Sequence, residues 1–144
     1  MINIYGAPRD AAKLAYWACC EYGLEDYDFD LLFDFTTMDN GDHGELTDYS
    51  MKDIVPNFTV TIEADLTGRD LAIAIFHELC HVQQVLDGRF EFEDGPPYWL
   101  GKRFKYKPNM MYSELPWEIE AFESEQILYN KYLQSEENVL DLVS

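Results

Sequence analysis

Cysteine is scarce in this chain: there are three, and none stands in the CxxC spacing that a cysteine zinc site requires. Cys19 and Cys20 are adjacent, which is poor geometry for bridging each other, and Cys80 is left over. A disulfide framework is therefore disfavoured, and a reducing compartment fits. No apolar run approaches the roughly 20 residues that a membrane-spanning helix needs. The opening MINIYGAPRDAAK lacks the charged start and apolar stretch of a secretory signal. These absences predict a cytoplasmic protein with no membrane partner. Bases are scarce too, ten Lys and Arg against 28 Asp and Glu, for a net charge of −18. Residues 21–53 hold eleven of those acids and one base, Lys52. Such a surface repels phosphates, which argues against direct nucleic-acid binding. It suits a solubility-driven surface, or an acidic mimic that occupies a nucleic-acid-binding partner.

One segment reverses the charge. Lys102, Arg103, Lys105 and Lys107, with Phe104 and Tyr106 interleaved, form a GKRFKYK run that reads as a solvated strand or loop, or as a small binding patch. The rest of the composition is that of a folded globule, 47% apolar and 15% aromatic. At 144 residues, without repeat, low-complexity tract or linker, the chain is read as a single domain over 1–144.

The pattern along the chain alternates helix and strand signals. Pro8 followed by RDAAKLAYWACCEYGL predicts a helix ending near Gly23. In YDFDLLFDF, Tyr27, Phe29, Leu31, Phe33 and Phe35 recur at a period of two, the mark of a strand with one buried face. Residues 36–56 are rich in Gly, Asp, Asn and Thr and predict a long turn with one short strand. The DNGDHGE stretch there has its acids at the wrong offsets for an EF-hand, and its His43 reads as an ordinary surface residue. NFTVTIEAD alternates again, with Phe58, Val60, Ile62 and Ala64 on one side. A helix then spans about Arg69 to Asp87, closed by Gly88. Residues 88–115 carry Gly95-Pro96-Pro97, Gly101 and Pro108 and read mostly as loop. A last helix starts at Pro116, and the polar, acidic tail after Gln134 frays.

His77-Glu78-Leu79-Cys80-His81 is where chemistry becomes legible. Two histidines four residues apart on a helix project from one face, about a turn apart, and can grip one ion together. Glu78 leans beside such an ion, placed to take a proton from a metal-activated water as general base. Zinc, one per chain, suits this role because it lowers the pKa of water without redox chemistry. The plain alternative is a pair of hydrogen-bonded core histidines. Two histidines need a third protein ligand, and the last helix offers Glu114, Glu118, Glu120, Glu123 and Glu125. Tyr112, Tyr106 and Arg103 precede that helix and are candidates for stabilising an oxyanion, Tyr112 first among them.

HELCH followed by PWEIEAF resembles the gluzincin branch of zinc metallopeptidases in a small single-domain form. YWLGKRFKYKPNMMYSELPWEIEA is also similar to short phage and bacterial HExxH proteins with W-x-G and Y-x-x-x-PWE-x-EA elements. A more distant likeness, on HExxH and ExxA alone, is to the ImmA/IrrE type of peptidase. The likeness covers roughly residues 55–130. It implies that the third ligand opens an E-x-x-A-[DN] pattern, which Glu118-Ile119-Glu120-Ala121 matches in four positions. Phe122 stands where the pattern has Asp or Asn, so Glu120 stays as the fallback ligand. It further implies that the strand ahead of the metal helix, Thr59 to Asp65, lies at the sheet edge along a cleft, where an extended peptide can add to it. An interior strand with no ligand role is the alternative.

The expected fold is α+β and zincin-like. It has three helices and a small antiparallel sheet of three or four strands, packed against the HExxH helix and a second, ligand-bearing helix. The expected function is hydrolysis of a peptide bond in a peptide or protein substrate, with His77, His81 and Glu118 on zinc and Glu78 as base. The rival is a zinc-binding interaction protein without catalysis that acts through its acidic surface, a nucleic-acid mimic or inhibitor of the phage-borne kind. The pattern names no oligomeric state.

Overall fold

The computed structural model describes residues 1–39, 41–92 and 94–135; the acidic tail from 136 onward lies outside the described residues. Strand β1 (Ile2–Tyr5) leads through helix α1 (Arg9–Glu21) to β2 (Phe29–Thr36), and the two strands pair in parallel. The chain then passes out to β3 (Gly44–Ser50) and returns as β4 (Asn57–Glu63). Inserted between its predecessors, β4 runs parallel to β2 and antiparallel to β3. The order is β1-β2-β4-β3, so the sheet is mixed where an antiparallel one is expected from the sequence. The cause is topological. The α1 crossover restores the strand direction, and β3 adds a reversal between β2 and β4.

This order also decides the edge. Residues 59–63 belong to β4, in the sheet interior, so the edge position that the resemblance implied for them is not realised. The outer strand is β3, within the segment read as mostly turn.

Period-two patterning does its work in β2 and β4. Phe29, Leu31, Phe33, Phe58, Val60 and Ile62 are buried, while Leu32 and Asp34 stay on the exposed face. Phe29 and Phe58 meet edge to face at 5.8 Å between ring centroids. Helix α2 (Gly68–Leu86) packs against this sheet and against both other helices. Its Phe76 joins Trp17 of α1 and Tyr132 of α3 (Pro116–Gln134) in one aromatic cluster. Gly88, at φ 75°, ends α2 in the left-handed conformation that favours glycine.

The stretch between α2 and α3 is more ordered than its Gly and Pro content suggests. Three two-residue strands, β5 (Phe90–Glu91), β6 (Tyr98–Trp99) and β7 (Lys102–Arg103), form a small antiparallel sheet. Trp117, in the first turn of α3, packs on Phe90, Trp99 and Phe104. That cluster anchors the start of α3 and sets which of its faces turns toward α2. Among the described residues no helix is long and apolar enough to cross a membrane.

Candidate metal centre

Four residues along α2 amount to about one helical turn, so His77 and His81 stack on one face. Their rings lie 5.0 Å apart. Glu118, in the first turn of α3, directs one carboxylate oxygen between them. Its Oε1 is 2.9 Å from Nε2 of His77 and 3.2 Å from Nε2 of His81. The three ligand atoms lie within 4.8 Å of one another and form a buried group that could hold a metal ion.

Each imidazole is oriented from behind. Nδ1 of His77 lies 2.9 Å from Oε1 of Glu125, and Nδ1 of His81 lies 2.9 Å from Oε1 of Gln84. Gln84 is fully buried, and its amide donates to the carbonyl of Trp117 at 3.0 Å and to Glu120 at 2.9 Å. With Nδ1 engaged on both rings, both Nε2 atoms are left to face Glu118. This is the arrangement in which outer partners fix the tautomer of metal-binding histidines.

Glu120 is elsewhere. It accepts two bonds from Arg89, at 2.6 and 2.8 Å, on the far side of Gln84. Glu118 therefore joins the histidines and the fallback does not. Phe122, where an Asp or Asn would support a ligand, lays its ring against His77 at 4.8 Å. Glu125, three residues further along, supplies the carboxylate instead. Glu118, Phe122 and Glu125 fall within about 60° of one another around the helix, so all three face α2. Removing the supporting carboxylate as Glu125→Ala should weaken zinc binding by roughly 10- to 100-fold, read by competition with a chromophoric chelator. Unchanged affinity would assign Glu125 to packing alone.

Glu78 is buried beside the two histidines. Burial raises its pKa above the ordinary carboxylate value, against the pull of His81, His77 and the backbone N–H of Leu46. That N–H belongs to the edge strand β3, which passes very close. A Cβ on Gly44 would sit 3.2 Å from Cγ of Glu78 and 3.1 Å from Ile62, so glycine is what lets the strand approach. Glu78 also stands where two cavities meet. One, of about 270 Å³, is bordered by Leu46, His81, Tyr106, Tyr112 and Trp117. The other, of about 210 Å³, is bordered by Asp42, His43, His77, Tyr112 and Phe122. His43, read from sequence as plain surface, thus lies at the mouth of the site. Nothing in its sequence neighbourhood signals this, because the β2–β3 excursion brings it there.

Tyr112 is exposed over most of its surface, yet its hydroxyl bonds to Glu118; burial of that end and this bond raise the phenol pKa. Tyr106 reaches the larger cavity. Arg103 does not reach the site. Its guanidinium donates to the carbonyls of Asp94 and Pro96, at 2.8 and 2.7 Å, and stacks on Tyr98. The GKRFKYK run is likewise divided, with Phe104 packed inward, Arg103 bracing a turn and its lysines exposed.

Burial opposes a charged His77, but bonds to Glu118 and Glu125 outweigh it and raise its pKa from 6.5 to about 10. Burial would raise Glu118, but bonds from His77 and His81 lower it from 4.5 to about 2. Burial opposes a charged His81 as well, but its bonds to Glu118 and Gln84 and the charges of Glu78 and Glu118 together raise its pKa. The signs follow from linkage. The raised His77 contributes stability that is fully present below pH 6.5 and lost as pH rises toward 10. The lowered Glu118 contributes stability present above 4.5 and lost as pH falls toward 2. A bound metal must displace the His77 proton, so its apparent affinity climbs with pH across the same upper window. Thermal melts of chelator-treated protein should therefore fall from pH 6.5 to 9 while the shift on adding zinc grows. A zinc shift independent of pH would contradict this.

The chain matches no protein-family model, no curated protein and no solved structure. It is an α+β protein with a buried His–His–Glu group that could hold a metal ion.

Proposed function

We propose that this chain is a zinc-dependent peptidase, of the gluzincin type that its HELCH and PWEIEA segments resemble. The observation that carries the reading is convergence. Nε2 of His77, Nε2 of His81 and Oε1 of Glu118 meet at one point, with Glu78 beside them where two cavities join. Two imidazoles and one carboxylate are a donor set that suits hydrolytic zinc, and the cavities leave one side accessible. His77, His81 and Glu118 would hold the ion. When bound, zinc supplies Lewis-acid polarisation and draws the acidity of a water toward neutral pH.

The chain's own residues supply the rest. Glu78, its basicity raised by burial, takes a proton from the attacking water and delivers it to the leaving amine. Tyr112 offers its hydroxyl toward the carbonyl oxygen as negative charge builds there. The outer edge of β3, rather than that of β4, presents backbone groups to an extended peptide.

A non-catalytic zinc protein that acts through its acidic face is the second reading, favoured by the net charge of −18. Metal analysis together with a peptide-library digest read by mass spectrometry separates the two. The peptidase should carry about one zinc per chain and cut a subset of peptides, losing activity to a chelator and regaining it with zinc. Zinc without cleavage of any library member favours the second reading. No zinc after metal-replete preparation ends both.

A further inference from the structure

Beyond the catalytic corner, β3 continues along a groove of about 690 Å³ between its second half and β5. Tyr49, Met51, Val85, Phe90 and Phe92 form its apolar lining. Leu46, Val85, Phe90 and Phe92 also border the cavity at Glu78, so the two spaces share a wall and run on from one another. The groove is built rather than incidental. The Tyr49 hydroxyl accepts the backbone N–H of Phe92 at 3.0 Å, tying the small sheet to the strand. Where the register of β3 shifts between Leu46 and Asp48, Thr47 bonds the Thr59 carbonyl at 3.2 Å and the Thr61 hydroxyl at 3.1 Å. The irregularity is thus absorbed on the β4 side.

Charge gives the trough a sign. Glu45, Asp48 and Glu91 border its length with exposed carboxylates, against Lys52 alone among the described residues that line it. An apolar floor under an acidic rim complements an extended strand on which basic and apolar side chains alternate. From Gly44, beside Glu78, to Tyr49 is a path of roughly 17 Å at about 3.3 Å per residue. We infer that the trough takes an extended cationic polypeptide segment, paired with β3, whose large apolar side chain seats between β3 and β5. That anchor lies about four or five residues from the bond to be cut. The position of the cut rests on the peptidase reading; binding in the groove does not.

The test uses full-length, zinc-loaded Glu78→Gln protein, so that probes are not consumed, and three fluorescein-labelled peptides read by anisotropy. The first alternates Lys and Val around one Phe; the second replaces every Lys with Glu; the third replaces the Phe with Gly. The first should bind, and each of the others should bind at least about tenfold more weakly. Adding Asp48→Lys and Glu91→Lys, both at exposed positions, should cost the first peptide a similar factor and improve the second. No binding of the first peptide, equal binding of all three, or indifference to the charge reversals would overturn the inference. A companion digest with zinc-loaded wild type separates the two readings. Cleavage together with equal binding of all three peptides overturns the groove and leaves the peptidase standing. Discriminating binding without cleavage supports the groove and removes the peptidase.

Discussion

Replacing Glu118 with alanine should weaken zinc binding by more than 100-fold, whereas Glu120→Ala should cost about tenfold or less. The two carboxylates are two residues apart on α3 and point about 200° away from each other. Glu118 places one oxygen within 3.2 Å of both histidine Nε2 atoms, so in the proposed site its loss would remove a ligand and leave two neutral donors. Loss of a ligand exceeds the roughly 10- to 100-fold that supporting residues cost. Glu120 is bound by Arg89 and by the amide of Gln84. Its removal frees one contact of the side chain that steadies His81, an indirect effect. Competition titrations against a chelator of known affinity measure both variants in one format. If Glu120→Ala proved the more damaging, the ligand assignment would move. Melting curves of the metal-free proteins should show the same order, because bonds from His77 and His81 to buried Glu118 stabilise the fold above pH 4.5 whereas the Arg89–Glu120 pair is partly exposed.

That contrast also shows what a sequence can and cannot disclose. HELCH was readable because helix geometry alone puts residues four apart on one face. The β2 and β4 strands were readable for the equivalent reason at period two, and the α3 start was marked by Pro116. Which face of α3 meets α2 is a different kind of fact. It follows from the packing of Trp117 on Phe90, Trp99 and Phe104, residues brought together by a small sheet whose two-residue strands are too short to leave a periodic signature. The four residues of β1 were hidden for the same reason. Glu125 was visible only as one of several acids; its role depends on Phe122 occupying the nearer position against His77. Of the two positions open to residues 59–65, the edge that the resemblance implies and the interior, the sheet realises the interior, because adjacency along the chain says nothing about insertion. That β4 enters between β2 and β3 is a property of the whole sheet.

The Glu78→Gln variant should lose hydrolysis by about 10²- to 10⁴-fold, the range a positioned general base supplies, while keeping its zinc. Glutamine matches the side chain in shape and retains an oxygen to accept the Leu46 N–H, so the close passage of Gly44 is undisturbed. What it removes is the capacity to take a proton. Stability should hold or rise. Burial raises the pKa of Glu78, so above that pKa the ionised carboxylate is a cost to the folded state, and a neutral amide relieves it. Zinc content, melting temperature and cleavage of a peptide found in the library digest are the three readouts. A variant that lost its zinc or unfolded would show that Glu78 has a structural role. One that kept zinc and wild-type turnover would sink its assignment as the base. The expected combination, with metal and fold intact, equal or higher melting temperature and negligible turnover, would mean that the fold bears the cost of a buried carboxylate for the sake of its chemistry.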